Sequence, residues 1–147
     1  MRSDAIHIAD YDSSWPLLFE EQRQVVTEAF SGLLIRPIEH IGSTSVPRLP
    51  AKPIIDMLGV VLNYEAVGSA MGRLPDIGWV PAPEPGDEAS RKCSACYPTV
   101  ERRTHHLHLV ELTSGWPDLL LYRDYLRTHP AVADEYAQLK RRFGCAG

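Results

Sequence analysis

Cysteine is scarce, with three in 147 residues. An odd number cannot pair completely within one chain, which argues against a disulfide scaffold and for a reducing, cytoplasmic setting. Long apolar runs are missing as well. No stretch approaches the about 20 residues that span a bilayer. Asp4, His7 and Asp10 fall where a secretory signal would be apolar, so no membrane partner is expected. Positive charge is not in excess: 15 Lys/Arg against 19 Asp/Glu leave a net −4. A bulk nucleic-acid binder would normally be basic over a whole face, so that class is set aside. Neither GxGxxG nor GxxxxGK[ST] occurs, which removes the two familiar glycine-rich phosphate loops.

What remains is globular. A hydrophobic share of 44% and a charged share of 23% are ordinary. The length suits one domain over residues 1–147, large enough to bury its own core. Charge is uneven along it. Residues 1–90 hold 6 Lys/Arg against 13 Asp/Glu, and residues 91–147 hold 9 against 6. A basic sector in an acidic protein fits a small anionic ligand such as a nucleotide phosphate, or else a solvated helix face.

Ser14 is placed to cap a helix with Pro16 in its first turn. Trp15, Leu18, Phe19, Val26, Ala29, Phe30 and Leu33 then keep helical spacing as far as Gly32–Leu34. Arg36 to Ser43 alternates as a strand that ends at Gly42. Prolines 47, 50 and 53 make 43–53 a loop. Ile54 to Leu62 is almost continuously apolar, the pattern of a strand buried on both faces. Tyr64–Leu74 reads as a helix, Pro81–Asp87 as a mobile loop, Ser94–Val100 as a weak strand and His105–Leu112 as a strong one. Trp116–His129 and Ala131–Phe143 read as helices parted by Pro130, the last with a stripe of Val132, Tyr136, Leu139 and Phe143. The order is α/β in the α+β sense: a small mixed sheet covered by helices, without the regular βαβ alternation of a Rossmann fold.

Three groups of residues carry chemistry. Gly42-Ser43-Thr44-Ser45 sits at a strand end, where glycine admits close backbone approach and hydroxyls and N–H groups receive phosphate oxygens. Lys52 follows as a cation. Asp56, inside Ile54–Leu58, is costly to bury alone and needs a cation, a metal or donors. Lys52 or an arginine would make it a structural pair. His106 and His108 lie on one face of a strand, Cα atoms about 6.5 Å apart, suited to one metal or one phosphate. Arg123, with Arg127 one turn on, lies at the edge of an apolar helix stripe and needs an anion: Asp56, Glu111 or a ligand phosphate. Lys140 is similarly placed after Tyr136. Cys93-Ser94-Ala95-Cys96 is a lone CxxC. With His105, His106 or Cys145 it would complete a zinc site, but one such pair is a weak signal and zinc is not expected.

These segments resemble the GrpB family, whose members are similar in fold to nucleotidyltransferases. The likeness runs from about Ile8 to Lys140. It rests on Tyr11-Asp12 with Trp15-Pro16, Ile38-Glu39-His40-Ile41-Gly42-Ser43-Thr44-Ser45-Val46-Pro47, Ala51-Lys52-Pro53-Ile54-Ile55-Asp56, Arg103-Thr104-His105-His106-Leu107-His108 and Tyr122-Arg123-Asp124-Tyr125-Leu126-Arg127. It implies a nucleotidyltransferase-like mixed sheet. The implied activity is transfer of a nucleotidyl group from a nucleoside triphosphate, with Mg²⁺ or Mn²⁺, to an unidentified acceptor. Gly42, Ser43, Thr44, Ser45, Lys52, Arg123, Arg127 and Lys140 would hold the nucleotide. Asp56, His106 and His108 would be catalytic and hold the metal. The alternative is a non-catalytic nucleotide-binding or accessory module, of the kind found fused to dephospho-CoA kinase. A homodimer is a further expected partnership. Three features depart from the pattern, one of them Cys93 to Cys96, which replaces a stretch that is commonly aromatic. Leu58 stands where the superfamily has a second acid, leaving His106, His108 or Glu111 to supply the remaining ligands. Arg48 stands where the family usually has glycine, and would either add a phosphate contact or close the pocket.

Overall fold

A computed structural model describes residues 7–143. The first helix, α1 (Trp15–Ala29), buries Trp15 and Val26, with Phe30 buried just beyond it, whereas Leu18 faces outward. Ser14 does occupy the N-cap, yet its hydroxyl makes no capping bond. Asp12 acts instead: its carboxylate accepts the Ser14 N–H at 2.8 Å and its carbonyl accepts that of Trp15. The helix stops short of Leu33.

Strands follow as β1 (Glu39–Ile41) and β2 (Ile55–Val61), joined by a loop whose first turn is a 3₁₀ turn at Ser43–Ser45. The predicted helix over Tyr64–Leu74 is broken into a 3₁₀ turn, Tyr64–Val67, a single helical turn, α2 (Gly68–Met71), and a second 3₁₀ turn, Leu74–Ile77. Gly68 and Gly72 are weak helix formers, and Pro75 has no N–H to continue the ladder. A short edge strand, β3 (Val80–Pro81), was not legible because Pro81 argues against a strand; an edge tolerates it. Then come β4 (Lys92–Tyr97), β5 (His105–Glu111), α3 (Trp116–Thr128) and α4 (Pro130–Phe143).

The five strands form one mixed sheet, ordered β1-β2-β5-β4-β3. Among the described residues, only β2 and β5 run parallel; the other strand pairs are antiparallel. One face packs against α1 through Ile55, Met57, Leu107 and Leu109, with Phe30 and Trp79. The other face is partly covered by α3, where Trp116 and Leu120 meet Ile41, Leu58, Val60 and Val110. Helices α3 and α4 pack together through Leu126, Ala133 and Ala137 against Val46 and Leu49. The α4 stripe is thus turned by one residue: Leu139 is exposed and Lys140 is buried. Among the described residues, no helix is long and apolar enough to cross a membrane.

Candidate functional site

Register places the chemistry. Residues opposite one another in a sheet share a face. Ile41, Asp56, His106 and Cys96 form one such row across β1, β2, β5 and β4; Glu39, Leu58, His108 and Ser94 form the next. Asp56 and the two histidines therefore meet on the face away from α1. Asp56 Oδ1 lies 3.4 Å from His108 Nε2 and 4.0 Å from His106 Nδ1. The imidazole rings are 4.4 Å apart, centre to centre. One ligand atom from each of the three residues lies within 4.8 Å of the others. Burial, then the neighbouring His108, pushes His106 down to about 4, so its ring is neutral at pH 7 with a free nitrogen lone pair.

Gly42 closes β1 directly above Asp56. Its φ of +74° and ψ of −176° are a conformation open essentially to glycine alone. A Cβ there would lie 2.7 Å from Asp56 Oδ2. Gly42→Ala is therefore expected to cost about 1–3 kcal/mol and to push the Asp56 carboxylate out of place. Thermal melting reads the first effect, and loss of divalent-ion affinity in calorimetry reads the second.

Beside this cluster lies a polar cleft of about 140 Å³, lined by Ser43, Thr44, Lys52, Asp56, Arg103, His106 and Lys140 among others. Lys140, a residue 2% exposed, reaches from α4 so that its Nζ donates to Ser43 Oγ and sits 5.4 Å from the Tyr136 ring centre. A wider opening of about 500 Å³ adjoins it, bounded by Gly42, Asp56, Glu84, Lys92, His106 and His108. On the side of α3 and α4, Ile41, Gly42, Ser43, Val46, Leu119, Tyr122, Arg123 and Tyr136 line a more apolar cavity of about 270 Å³.

Other expected contacts are engaged within the fold. The Thr44 hydroxyl donates to the Ile54 carbonyl and receives the His40 imidazole N–H, whose ring stacks on Phe19. Ser45 Oγ closes its own turn by donating to the Gly42 carbonyl. Arg123 meets neither Asp56 nor Glu111. Because α3 passes over β1, its guanidinium donates to Glu39 at 2.8 Å and to the His40 carbonyl at 2.9 Å. Arg127 donates to the Ser45 carbonyl and borders a separate cleft with Arg48. Arg48 thus neither closes the Asp56 cleft nor lines it. Its φ of +69° is the left-handed conformation that glycine adopts freely. Glu111 lies on the opposite face and pairs with Arg91, so it is no ligand here.

Glu84, Lys92 and Arg103 also border the site, although the sequence motifs do not mark them as site residues. Arg103 had a signal, since it opens the Arg103–His108 motif. Glu84 had none, because only the path of the proline-rich loop brings it over the sheet, 3.3 Å from His106 Nε2. Burial opposes its charge, but His106, Lys92 and His108 outweigh that and hold its carboxyl below the ordinary range. Cys93 and Cys96 do not share a face of the sheet. Residues three apart on a strand face opposite ways: Cys93 opposes Leu109 on the α1 face and Cys96 opposes His106. His105 also faces α1, hydrogen-bonded to the Leu18 carbonyl, and Cys145 lies outside the described residues.

The model of the GrpB protein family matches residues 5–145. The UPF0157 protein YqkA of Bacillus subtilis is 39% identical over 140 residues, covering 93% of this chain and 39% of its own length. A UPF0157 protein of Pseudomonas aeruginosa is 34% identical over 140 residues, again covering 93% of this chain but 56% of its own length. The chain therefore spans about two-fifths to just over half of these two relatives. A crystal structure of the conserved protein GrpB from Enterococcus faecalis superposes with a TM-score of 0.81 at 34% identity, covering 93% of this chain and 82% of that one. The chain belongs to the GrpB family.

Proposed function

We propose that this GrpB-family chain binds a nucleoside triphosphate together with a divalent cation and transfers a nucleotidyl group to an acceptor hydroxyl. One observation carries the reading: a cationic, phosphate-sized cleft opens directly onto a cluster of metal-ligating side chains at a glycine turn. Ser43, Lys52, Arg103 and Lys140 would receive phosphate oxygens. The apolar cavity with Tyr122 and Tyr136 adjoins at Gly42 and Ser43 and has room for a base.

Asp56, His106 and His108 would hold the cation, which would neutralise charge on the phosphates. The chain's own part is positioning. Lys52 and Lys140 fix the triphosphate for in-line displacement, and the sheet keeps Asp56 and the histidines rigid. An all-carboxylate pair of Mg²⁺ sites does not fit. Leu58 is fully buried, and Glu39, opposite it, is engaged by Arg123 and Arg36. That same shortage of acids favours the second reading, a nucleotide-binding accessory module without turnover.

Calorimetry with ATP and GTP in Mn²⁺ tests binding. Wild type should bind, and Ser43→Ala and Lys52→Ala should each lose about 1–3 kcal/mol of affinity. No binding by wild type at millimolar nucleotide would end both readings. Binding without pyrophosphate release in the presence of candidate acceptors would favour the accessory module.

A further inference from the structure

We propose that Asp56, His106 and His108 form a site for a first-row divalent transition ion, Zn²⁺ more tightly than Mn²⁺ and both far more tightly than Mg²⁺, with Glu84 positioning His106. The proposal shares the cation site of the nucleotide reading but needs no nucleotide.

The donor set comes first. Mg²⁺ prefers oxygen ligands, usually carboxylate, phosphate and water, in a strict octahedron. Two imidazole nitrogens and one carboxylate oxygen suit Zn²⁺, Mn²⁺ and their neighbours, with Mn²⁺ at the weak end of the series, which peaks at Cu²⁺ just before Zn²⁺. The spacing agrees. Ligands held about 2.0–2.1 Å from a tetrahedral ion lie about 3.3 Å apart. Asp56 Oδ1 to His108 Nε2 is 3.4 Å, and Asp56 Oδ1 to His106 Nδ1 is 4.0 Å. A small inward turn of the His106 ring closes the set. The donors stand on two adjacent parallel strands, so the backbone need not move to bring them together.

Glu84 supplies the second observation. His106 Nδ1 faces Asp56, while Nε2, on the far side of the ring, is buried and makes no hydrogen bond. Glu84 Oε1 lies 3.3 Å from that nitrogen. An ion on Nδ1 requires the ring proton on Nε2, and Glu84 is the acceptor at hand. A carboxylate behind a ligating imidazole fixes its tautomer and orientation. Glu84 Oε1 also receives the Ser94 hydroxyl and lies 3.6 Å from Lys92 Nζ, which holds the carboxylate over the ring. The rest of the ion's surface would face the cleft of Ser43 and Lys52, open to water or a phosphate oxygen.

The test uses the full chain, stripped with a chelator and titrated with Co²⁺, Zn²⁺ and Mg²⁺ without nucleotide. One Co²⁺ per chain should give visible d–d bands without a thiolate charge-transfer band. Zn²⁺ should abolish them at equal concentration, and a roughly thousand-fold excess of Mg²⁺ should not. Glu84→Gln should keep the band shape and weaken Co²⁺ about 10–100-fold. His108→Ala should lose the bands, with circular dichroism confirming the fold. Competition by Mg²⁺ at equal concentration, a thiolate band, or bands that persist in folded His108→Ala would overturn the site. Unchanged Co²⁺ affinity in Glu84→Gln would overturn the role given to Glu84. Co²⁺ binding without any triphosphate binding would contradict the nucleotide reading alone. Triphosphate binding with Mg²⁺ and no Co²⁺ site would contradict this proposal alone.

Discussion

Asp56→Asn should abolish divalent-ion-dependent nucleotide binding and turnover while leaving the melting temperature within a few degrees of wild type. The two side chains are nearly isosteric, and Asp56 is about one-third exposed, at 29%. A neutral amide is a far poorer ligand than a carboxylate, so divalent-ion affinity should fall about 100-fold or more. The contrary outcome has its own meaning. Were Asp56 half of a buried ion pair, the same change would strand a cation and cost about 3–5 kcal/mol. The structure speaks against Arg123 as that cation, because its guanidinium is directed to Glu39 and the His40 carbonyl. Calorimetric ion titration beside thermal melting reads both effects. A collapsed melting temperature with unchanged ion affinity would remove Asp56 from the site.

The largest stability loss is expected at that arginine. Arg123 is 9% exposed and ties α3 to β1 through Glu39. Arg123→Met would leave the Glu39 carboxylate half-buried and the His40 carbonyl without its donor. Breaking a buried pair costs about 3–5 kcal/mol, and the low end applies because Glu39 keeps Arg36 and some solvent. The pH dependence has a definite sign. Burial works against the Glu39 charge, but Arg123 and then Arg36 outweigh it, holding the carboxyl below its ordinary 4.5. A carboxyl lowered in the folded state stabilises above its unfolded value, and that contribution disappears as pH falls through the folded one. Wild type should therefore lose melting temperature on acidification below about pH 4.5, and Arg123→Met should lose less of it over the same interval. Equal acid slopes for the two proteins would contradict the pair's role.

The sequence made the centre of the sheet legible. Ile55–Val61 shows itself by unbroken apolar character around one acid, and His105–Glu111 by the alternation of His106, Leu107, His108 and Leu109. Because strand period is two, His106 and His108 had to share a face. That Asp56 shares it too depends on the parallel register of β2 and β5, which no local pattern encodes. Lys140 is legible from its place one turn beyond Tyr136, although the buried stripe around it lies one residue on from the apolar one in the sequence. Small alanines at 133 and 137, rather than Leu139, fill the helix contact.

What could not be read was set by chain path. Arg123 clearly needed an anion, but its choice of Glu39 follows from where α3 crosses the sheet. Glu84 reaches His106 only because the loop carrying three prolines folds back over β5 and β4. The Tyr64–Leu74 segment had helical spacing, and its glycines broke the helix where packing did not insist on one.

A crystal soaked with Mn²⁺ and a non-hydrolysable nucleoside triphosphate, measured for anomalous scattering, tests the proposed site most directly. The expected result is an anomalous peak about 2.0–2.3 Å from Asp56 Oδ1, His106 Nδ1 and His108 Nε2. The triphosphate should lie between that ion and Ser43, Lys52 and Lys140. Nucleotide density elsewhere on the surface, or no anomalous peak beside Asp56, would contradict it.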